Sequence, residues 1–300
     1  MTRRVLLLTH AERADLQQHT REIAALLGAA GIEVAVLATD VETAHLDPAN
    51  ILPADPGRPA AGCELVCVLG GDGTILRGAE LSRGAGAPLL GINYGHVGFL
   101  AEAEREDLRA TVQRIVAADY AVEERMTLEV VARSGADVIA TSWALNEVTV
   151  EKAARERMLE LILEIDGRPL STWGCDGVIV STPTGSTAYG FSAGGPVVWP
   201  DVEAMLIVPI SAHALFARPL VVGPESHIAV ELVPDTRSRS VMWCDGARPV
   251  DLPRGARVEV VRSQTPVLLA RLTREPFTDR LVNKFDLSVA GWRGALRRER

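Results

Sequence analysis

The hydrophobic patterning of this chain changes period near residue 120, and that change limits the folds open to it. Before it, strand-like and helix-like stretches alternate. "RVLLLT" reads as a buried strand, and "AERADLQQHTREIAALLGAAG" places Leu16, Ile23, Leu26 and Leu27 at helical spacing before a Gly stop. "IEVAVLA", "ELVCVLG" and "APLLGIN" read as further strands. "TILRGAELS" and "EREDLRATVQRIVAADY" read as helices, the second apolar at Leu108, Val112, Ile115 and Val116. Pro48, Pro53, Pro56 and Pro59 mark an irregular excursion between them. Such alternation predicts an α/β domain with a parallel sheet over residues 1–120. After it, short β-rich runs from "MTLEVVARSG" to "VLLARLT" are split by turn residues, which predicts an all-β, sandwich-like domain over 121–275. In the tail, 276–300, "FTDRLVNKFDL" predicts a short helix that returns to the first domain.

Composition narrows the partners. The formal net charge is −8, from 39 acids against 31 Lys and Arg, and no basic block exceeds the terminal "RRER". That balance argues against nucleic acid as a partner, so anionic ligands must be held by local devices. No stretch approaches the roughly 18 apolar residues of a spanning helix, which argues against a membrane partner. The start, "MTRRVLLLTHAERADL", reads as a first strand rather than a signal peptide. Cys63, Cys67, Cys175 and Cys244 lack metal-site spacing, and Cys63 and Cys67 read as core residues on one strand face. A reduced, cytoplasmic protein is expected.

Two stretches carry chemistry. In "VLGGDGTILR" a strand ends in Gly70-Gly71, where the backbone turns without a Cβ, and Gly73 allows a ligand to come close. A helix beginning near Thr74 offers N–H groups and partial positive charge to a phosphate. A site that only bound phosphate would repel Asp72. The acid fits if it faces a hydroxyl or a metal beside the phosphate, as in phosphoryl transfer to an alcohol. The bland reading makes Asp72 a helix N-cap in a tight turn. The spacing matches neither a Walker A loop nor a Rossmann fingerprint. The second stretch, "DGVIVSTPTGSTAYGFSAGGP" (176–196), is a strand followed by many Ser, Thr and Gly residues. Its hydroxyls suit hydrogen bonds to a base or ribose, with Tyr189 as a stacking or hydroxyl partner. The alternative is a long polar hairpin loop.

"GGDGT", followed by "NE" (Asn146-Glu147) and then by the 176–196 stretch, resembles the NAD kinase family. "NYGHVGFLAE" (93–102) and "FARPLVVGP" (216–224) are similar to further segments of that family, so the likeness runs over roughly residues 60–290. GGDGT alone has relatives in lipid kinases and phosphofructokinases; with PTGSTAY at this distance it is far more specific. The resemblance implies transfer of a phosphoryl group from ATP or polyphosphate, with Mg²⁺, to the adenosine ribose 2′-hydroxyl of NAD. It implies Asp72 as general base, with Gly73 beside it at the nucleotide, and Asn146 and Glu147 on ribose hydroxyls. Asp176 then lies near the nicotinamide side, and Thr187, Ala188, Tyr189, Gly190, Phe191 and Ser192 lie around adenine and ribose. Gly70, Gly71, Gly73, Thr74 and Arg77 fall on the phosphate side, and Arg157 is a further basic contact. A homotetramer or homodimer, in which a neighbour's β domain completes the site, is implied too.

Three positions depart from the commoner family pattern: Gly174, where many relatives have a basic residue, Gly190, where Ser is frequent, and Ala247 after "CDG", where some members have Gln. His96 reads as structural, His213 as either structural or ligand-facing, and Trp173 and Trp199 as packing or subunit contacts. Cys175 reads as a buried, inert thiol. A lipid or sugar kinase sharing GGDGT leaves Asn146-Glu147 and PTGSTAY unexplained. A non-catalytic dinucleotide sensor has no use for Asp72.

Overall fold

The computed structural model describes residues 2–9, 14–44, 46, 51–93, 98–101, 103–104, 108–153, 158–234, 239–273 and 275–289. Residues up to Glu124 and from Val267 onward form one compact unit, and Arg125–Pro266 form a second.

In the first unit the strands are β1 (Arg4–Thr9), β2 (Glu33–Val36), β3 (Leu52–Pro53), β4 (Leu65–Leu69), β5 (Leu89–Asn93), β6 (Ala103–Glu104) and β7 (Ala121–Arg125). Helices α1 (Ala14–Ala29), α2 (Ala38–Ala44), α3 (Asp72–Arg83) and α4 (Leu108–Val116) alternate with them. β1 pairs with β2 and β4, and β4 with β5, all parallel. Every residue of β4 and β5 is buried, as a parallel sheet covered on both faces requires. Gly78 lets α3 lie close on that sheet, since a Cβ there would sit 2.6 Å from Val68 Cγ2 and 2.8 Å from Leu89 Cδ1.

The second unit holds β8 (Leu128–Ser134), β9 (Asp137–Ala144), β10 (Glu147–Lys152), β11 (Leu159–Ile165), β12 (Arg168–Cys175) and β13 (Gly177–Ser181). After a 3-10 turn (Thr184–Thr187) and the short helix α5 (Tyr189–Ser192) come β14 (Met205–Ile210), β15 (Leu220–Val222) and β16 (Ile228–Leu232). β17 (Ser240–Cys244), β18 (Arg248–Leu252) and β19 (Ala256–Arg262) complete it. These strands make two six-stranded sheets, ordered β15-β14-β13-β10-β17-β18 and β12-β11-β16-β19-β8-β9. Alternate residues of both, such as Val148, Val150 and Met242 from one and Leu161, Val230 and Val258 from the other, share one buried core. That is the expected sandwich.

Two sequence expectations are corrected. The sequence pattern groups Val267–Arg271 with the second domain's strands, but as β20 it lies between β5 and β7 in the first unit's sheet, with Leu269 opposite Leu89. A buried apolar run says "strand" without saying which sheet takes it. Cys63 precedes β4 and is half-buried, so only Cys67 of that pair is a core strand residue. The predicted tail helix is α6 (Phe277–Phe285).

Candidate functional site

In the first unit the sheet order β3-β2-β1-β4-β5 reverses direction between β1 and β4. Ligands of open α/β sheets bind at the carboxyl ends of the strands beside such a reversal. Gly70 and Gly71 follow the carboxyl end of β4. Gly70 is buried, and a Cβ there would come within 2.6 Å of Thr74 Oγ1. Gly71 and Gly73 are exposed. α3 begins at Asp72, earlier than its expected start near Thr74; Gly71 is the N-cap, and no side chain caps the first turn. Asp72 is therefore not the cap that the bland reading supposed.

The Asp72 carboxylate is half-buried and accepts long hydrogen bonds from the backbone N–H groups of Leu100 (to Oδ1) and Phe99 (to Oδ2), each 3.4 Å. A Cβ on Gly98 would overlap that carboxylate, so a glycine is needed where the 98–100 backbone passes it. Phe99 packs against Phe277 and Phe285 of α6 at ring separations of 5.9 and 5.8 Å. Arg280 Nη1 donates to the carbonyl of Ala101 at 2.8 Å. Arg77 is exposed. The carboxyl of buried Asp40 is pushed up by burial, against which the Thr9 N–H and the charge of Arg77 act.

In the second unit Asn146 and Glu147 stand where β10 begins, 8% and 7% exposed. Burial, and then the neighbouring Asp245, push the Glu147 carboxyl up to about 8, while the backbone N–H of Tyr189 opposes the shift. Glu147 Oε2 is buried and has no hydrogen-bond partner among the described residues. The main chain around the pair is fully engaged. Asp245 accepts from the N–H groups of Leu145 (2.9 Å), Asn146 (2.7 Å) and Glu147 (3.3 Å), and its own N–H donates to Glu147 O at 2.9 Å. Thr182 Oγ1 donates to Leu145 O at 2.5 Å. Thr182 N (2.9 Å) and Ser181 Oγ (3.1 Å) donate to Asn146 O. A Cβ on Gly185 would overlap the Asn146 carbonyl.

The 176–196 stretch corrects the picture of free hydroxyls awaiting a ligand. Ser181, Thr182 and Ser186 are buried and their hydroxyls bond backbone carbonyls; Ser186 Oγ also accepts from Val198 N at 2.9 Å. Instead of a polar hairpin, the chain folds into the 3-10 turn and α5. Thr187 and Ala188 are half-buried, Tyr189, Phe191 and Ser192 are exposed, and Gly190 is buried. A Cβ at Gly190 would meet Gly185 O at an ordinary 3.6 Å, so the Ser frequent in relatives would fit. Asp176 pairs with Lys152 Nζ at 2.5 Å.

His213 is exposed, with its N–H on Gly174 O at 2.8 Å. Trp173 is fully buried and donates from Nε1 to Phe216 O at 3.1 Å, a packing role, while Trp199 is 43% exposed. Cys175 is buried and its thiol is pushed up to about 12 by burial, consistent with an inert thiol. Arg157 and His96 lie outside the described residues. The sequence reading missed Asp245 and Gly185: a "DG" between two strands signals only a turn, and a glycine's steric partner is not written beside it.

Residues 5–120 match the ATP-NAD kinase N-terminal domain family and residues 145–272 the ATP-NAD kinase C-terminal domain family. The chain is 58% identical to an NAD kinase of Thermobifida fusca over 97% of its own length and 92% of the relative's. It is 52% identical to an NAD kinase of Mycobacterium bovis, over 97% and 98% of the two chains. Among solved structures, an NAD kinase from Archaeoglobus fulgidus in complex with ATP superposes with a TM-score of 0.71 at 27% identity, covering 94% of this chain and 97% of that one. Yeast NADH kinase complexed with NADH superposes with a TM-score of 0.86 at 24% identity, covering 96% and 88%, and speaks to the fold alone.

Proposed function

The chain belongs to the NAD kinase family, and from that premise we propose that it moves the γ-phosphoryl group of ATP to the adenosine ribose 2′-hydroxyl of NAD, giving NADP and ADP. The observation that carries this reading is Glu147, a buried carboxyl group whose Oε2 lacks a partner among the described residues. An acceptor held dry and unsatisfied is costly unless a ligand supplies the donor, and ribose hydroxyls are such donors. Asn146 beside it adds an amide that both donates and accepts. Thr187, Ala188 and Tyr189, the last opening α5, bound the adenine and ribose, and Asp176 lies toward the nicotinamide.

Asp72 is the general base. Its two long bonds to backbone N–H groups orient the carboxylate and leave acceptor capacity for a hydroxyl. The 2′-oxygen attacks the γ-phosphorus, its proton passes to Asp72, and the bond to the bridging oxygen of ADP breaks. The uncapped first turn of α3 and the open backbone at Gly71 and Gly73 receive the donor phosphates, with Thr74 and Arg77 on the same helix. Among the described residues no group of three or more His, Cys, Asp or Glu side chains could hold a metal ion. Mg²⁺ carried by the donor's phosphates would neutralise charge there. An ATP complex of an A. fulgidus relative favours ATP over polyphosphate as donor.

The four free cysteines accord with a cytoplasmic enzyme, and among the described residues no helix is long and apolar enough to cross a membrane. Exposed Leu215, Phe216, Val221 and Val202 of the second unit accord with assembly into a homodimer or homotetramer.

Purified protein incubated with NAD, Mg²⁺ and either ATP or polyphosphate is expected to form NADP with ATP. Asp72→Asn is expected to keep its fold and NAD affinity while kcat falls by roughly 10²–10⁴-fold. Near-full activity in that variant would remove Asp72 as base; NAD binding without any NADP would favour a sensor.

A further inference from the structure

We propose that Asp245 is the positioning residue that presents Asn146 and Glu147 to the dinucleotide. The proposal rests on reading that pair as the ribose-binding residues. Three consecutive amides, those of Leu145, Asn146 and Glu147, converge on one carboxylate at 2.9, 2.7 and 3.3 Å. Consecutive N–H groups in an extended strand point to alternate sides, so such convergence requires a curled backbone. The curl leads into the first residue of β10, whose ladder to β17 runs from Val148 opposite Cys244. A side chain from the β17–β18 turn thus takes the place of a ladder partner where the chain must bend to expose two polar side chains.

Asp245 is itself held. Its backbone is left-handed (φ 51°), a conformation that Asp tolerates better than most residues, and its side chain is 3% exposed. Arg248 Nη2 donates to Asp245 Oδ2 at 3.0 Å and to Trp143 O at 2.7 Å, and its guanidinium lies 4.9 Å from the centre of the Trp143 ring. Stacked and doubly bonded, Arg248 has little freedom, and it fixes the carboxylate that fixes the curl. On the opposite side Thr182 and Ser181 hold the carbonyls of Leu145 and Asn146. The main chain of 145–147 is pinned by both strand neighbours, and only its side chains remain to meet a ligand.

A positioning role predicts a loss specific to NAD. Asp245→Asn should raise KM and Kd for NAD about tenfold while KM for ATP stays within about twofold. In an Asn146→Ala/Glu147→Gln background the same change should alter KM for NAD by less than about twofold, because its route of action is already gone. A merely structural residue would move both substrates' constants together and would act equally in either background; that result, or an unchanged KM for NAD, overturns the proposal. Should Asp245→Asn fail to fold, Arg248→Lys decides: it leaves the carboxylate but loosens its anchor, and about a threefold rise in KM for NAD alone is expected. An unchanged KM there overturns the proposal. If Asn146→Ala/Glu147→Gln by itself leaves NAD binding intact, the ribose-binding reading falls. Sensitivity to that pair without sensitivity to Asp245 or Arg248 sinks only the positioning claim.

Discussion

Ionised Glu147 costs the folded protein stability because it is buried, and pH exposes the effect. Burial and Asp245 move its carboxyl from an ordinary 4.5 to about 8. The folded chain thus binds that proton more tightly than the unfolded one. As pH rises from about 4.5 the unfolded chain ionises first, so stability falls, and the loss is complete above about 8. Asp245, pushed up to about 6 by burial, adds a loss of the same sign in the lower part of that window. Glu147→Gln is expected to flatten the slope, leaving the ligand-free protein little changed at pH 5 but more stable at pH 8.5 by something on the order of 2 kcal/mol. Thermal unfolding from pH 5 to 9 without NAD reads this directly; a slope unaffected by the substitution would assign it to other groups. On the proposed reading of Glu147, NAD binding strengthens over the same range, since ribose hydroxyls donate to the ionised form. Asp72, Asn146 and Glu147 were open to proposal from the sequence because they sit in short, specific motifs. Asp245 was not, because nothing in "CDG" says that three amides a hundred residues earlier will turn toward it.

At the scale of elements, α6 and the strap it packs on form a brace for Asp72. Gly98 passes the carboxylate, Phe99 and Leu100 donate to it, and Phe99 in turn rests on Phe277 and Phe285. Arg280 ties the same strap through Ala101 O. Loosening the brace should disturb the proposed base more than the proposed ribose-binding pair of the second unit. Phe285→Ala is expected to destabilise the fold by about 2 kcal/mol, because the ring is only partly buried. It should lower kcat several-fold and leave KM for NAD nearly unchanged. Steady-state kinetics of Phe285→Ala and Arg280→Ala check this; a rise in KM with kcat intact would detach the brace from the base. That a helix would form over "FTDRLVNKFDL" was readable from its composition and spacing. Its contact with the strap was not, since aromatic partners nearly two hundred residues apart leave no local pattern. The hydroxyl-rich stretch misled in the opposite sense: Ser and Thr advertise hydrogen bonds, and here the nearest carbonyls took most of them.

Across the whole molecule the chain leaves its first unit near Glu124, builds a complete sandwich, and returns at Val267. The change of period at residue 120 announced the departure. The sequence pattern puts the return too late, at 275, because Val267–Arg271 is an apolar run like the strands before it, although it joins a different sheet. The two units therefore depend differently on chain continuity. The second draws its core from its own strands, β8 to β19, within one uninterrupted segment. The first needs β20 between β5 and β7. A fragment spanning Arg125–Pro266 is expected to fold alone, with a β-rich circular dichroism spectrum and cooperative unfolding. A chain ending at Pro266 should retain that transition while its first unit, lacking β20 and α6, melts early or not cooperatively. Neither should yield NADP, because the proposed base and the proposed ribose-binding pair are divided between the units. Should the Arg125–Pro266 fragment prove unfolded while the full chain folds, the sandwich depends on contacts that its own core does not supply.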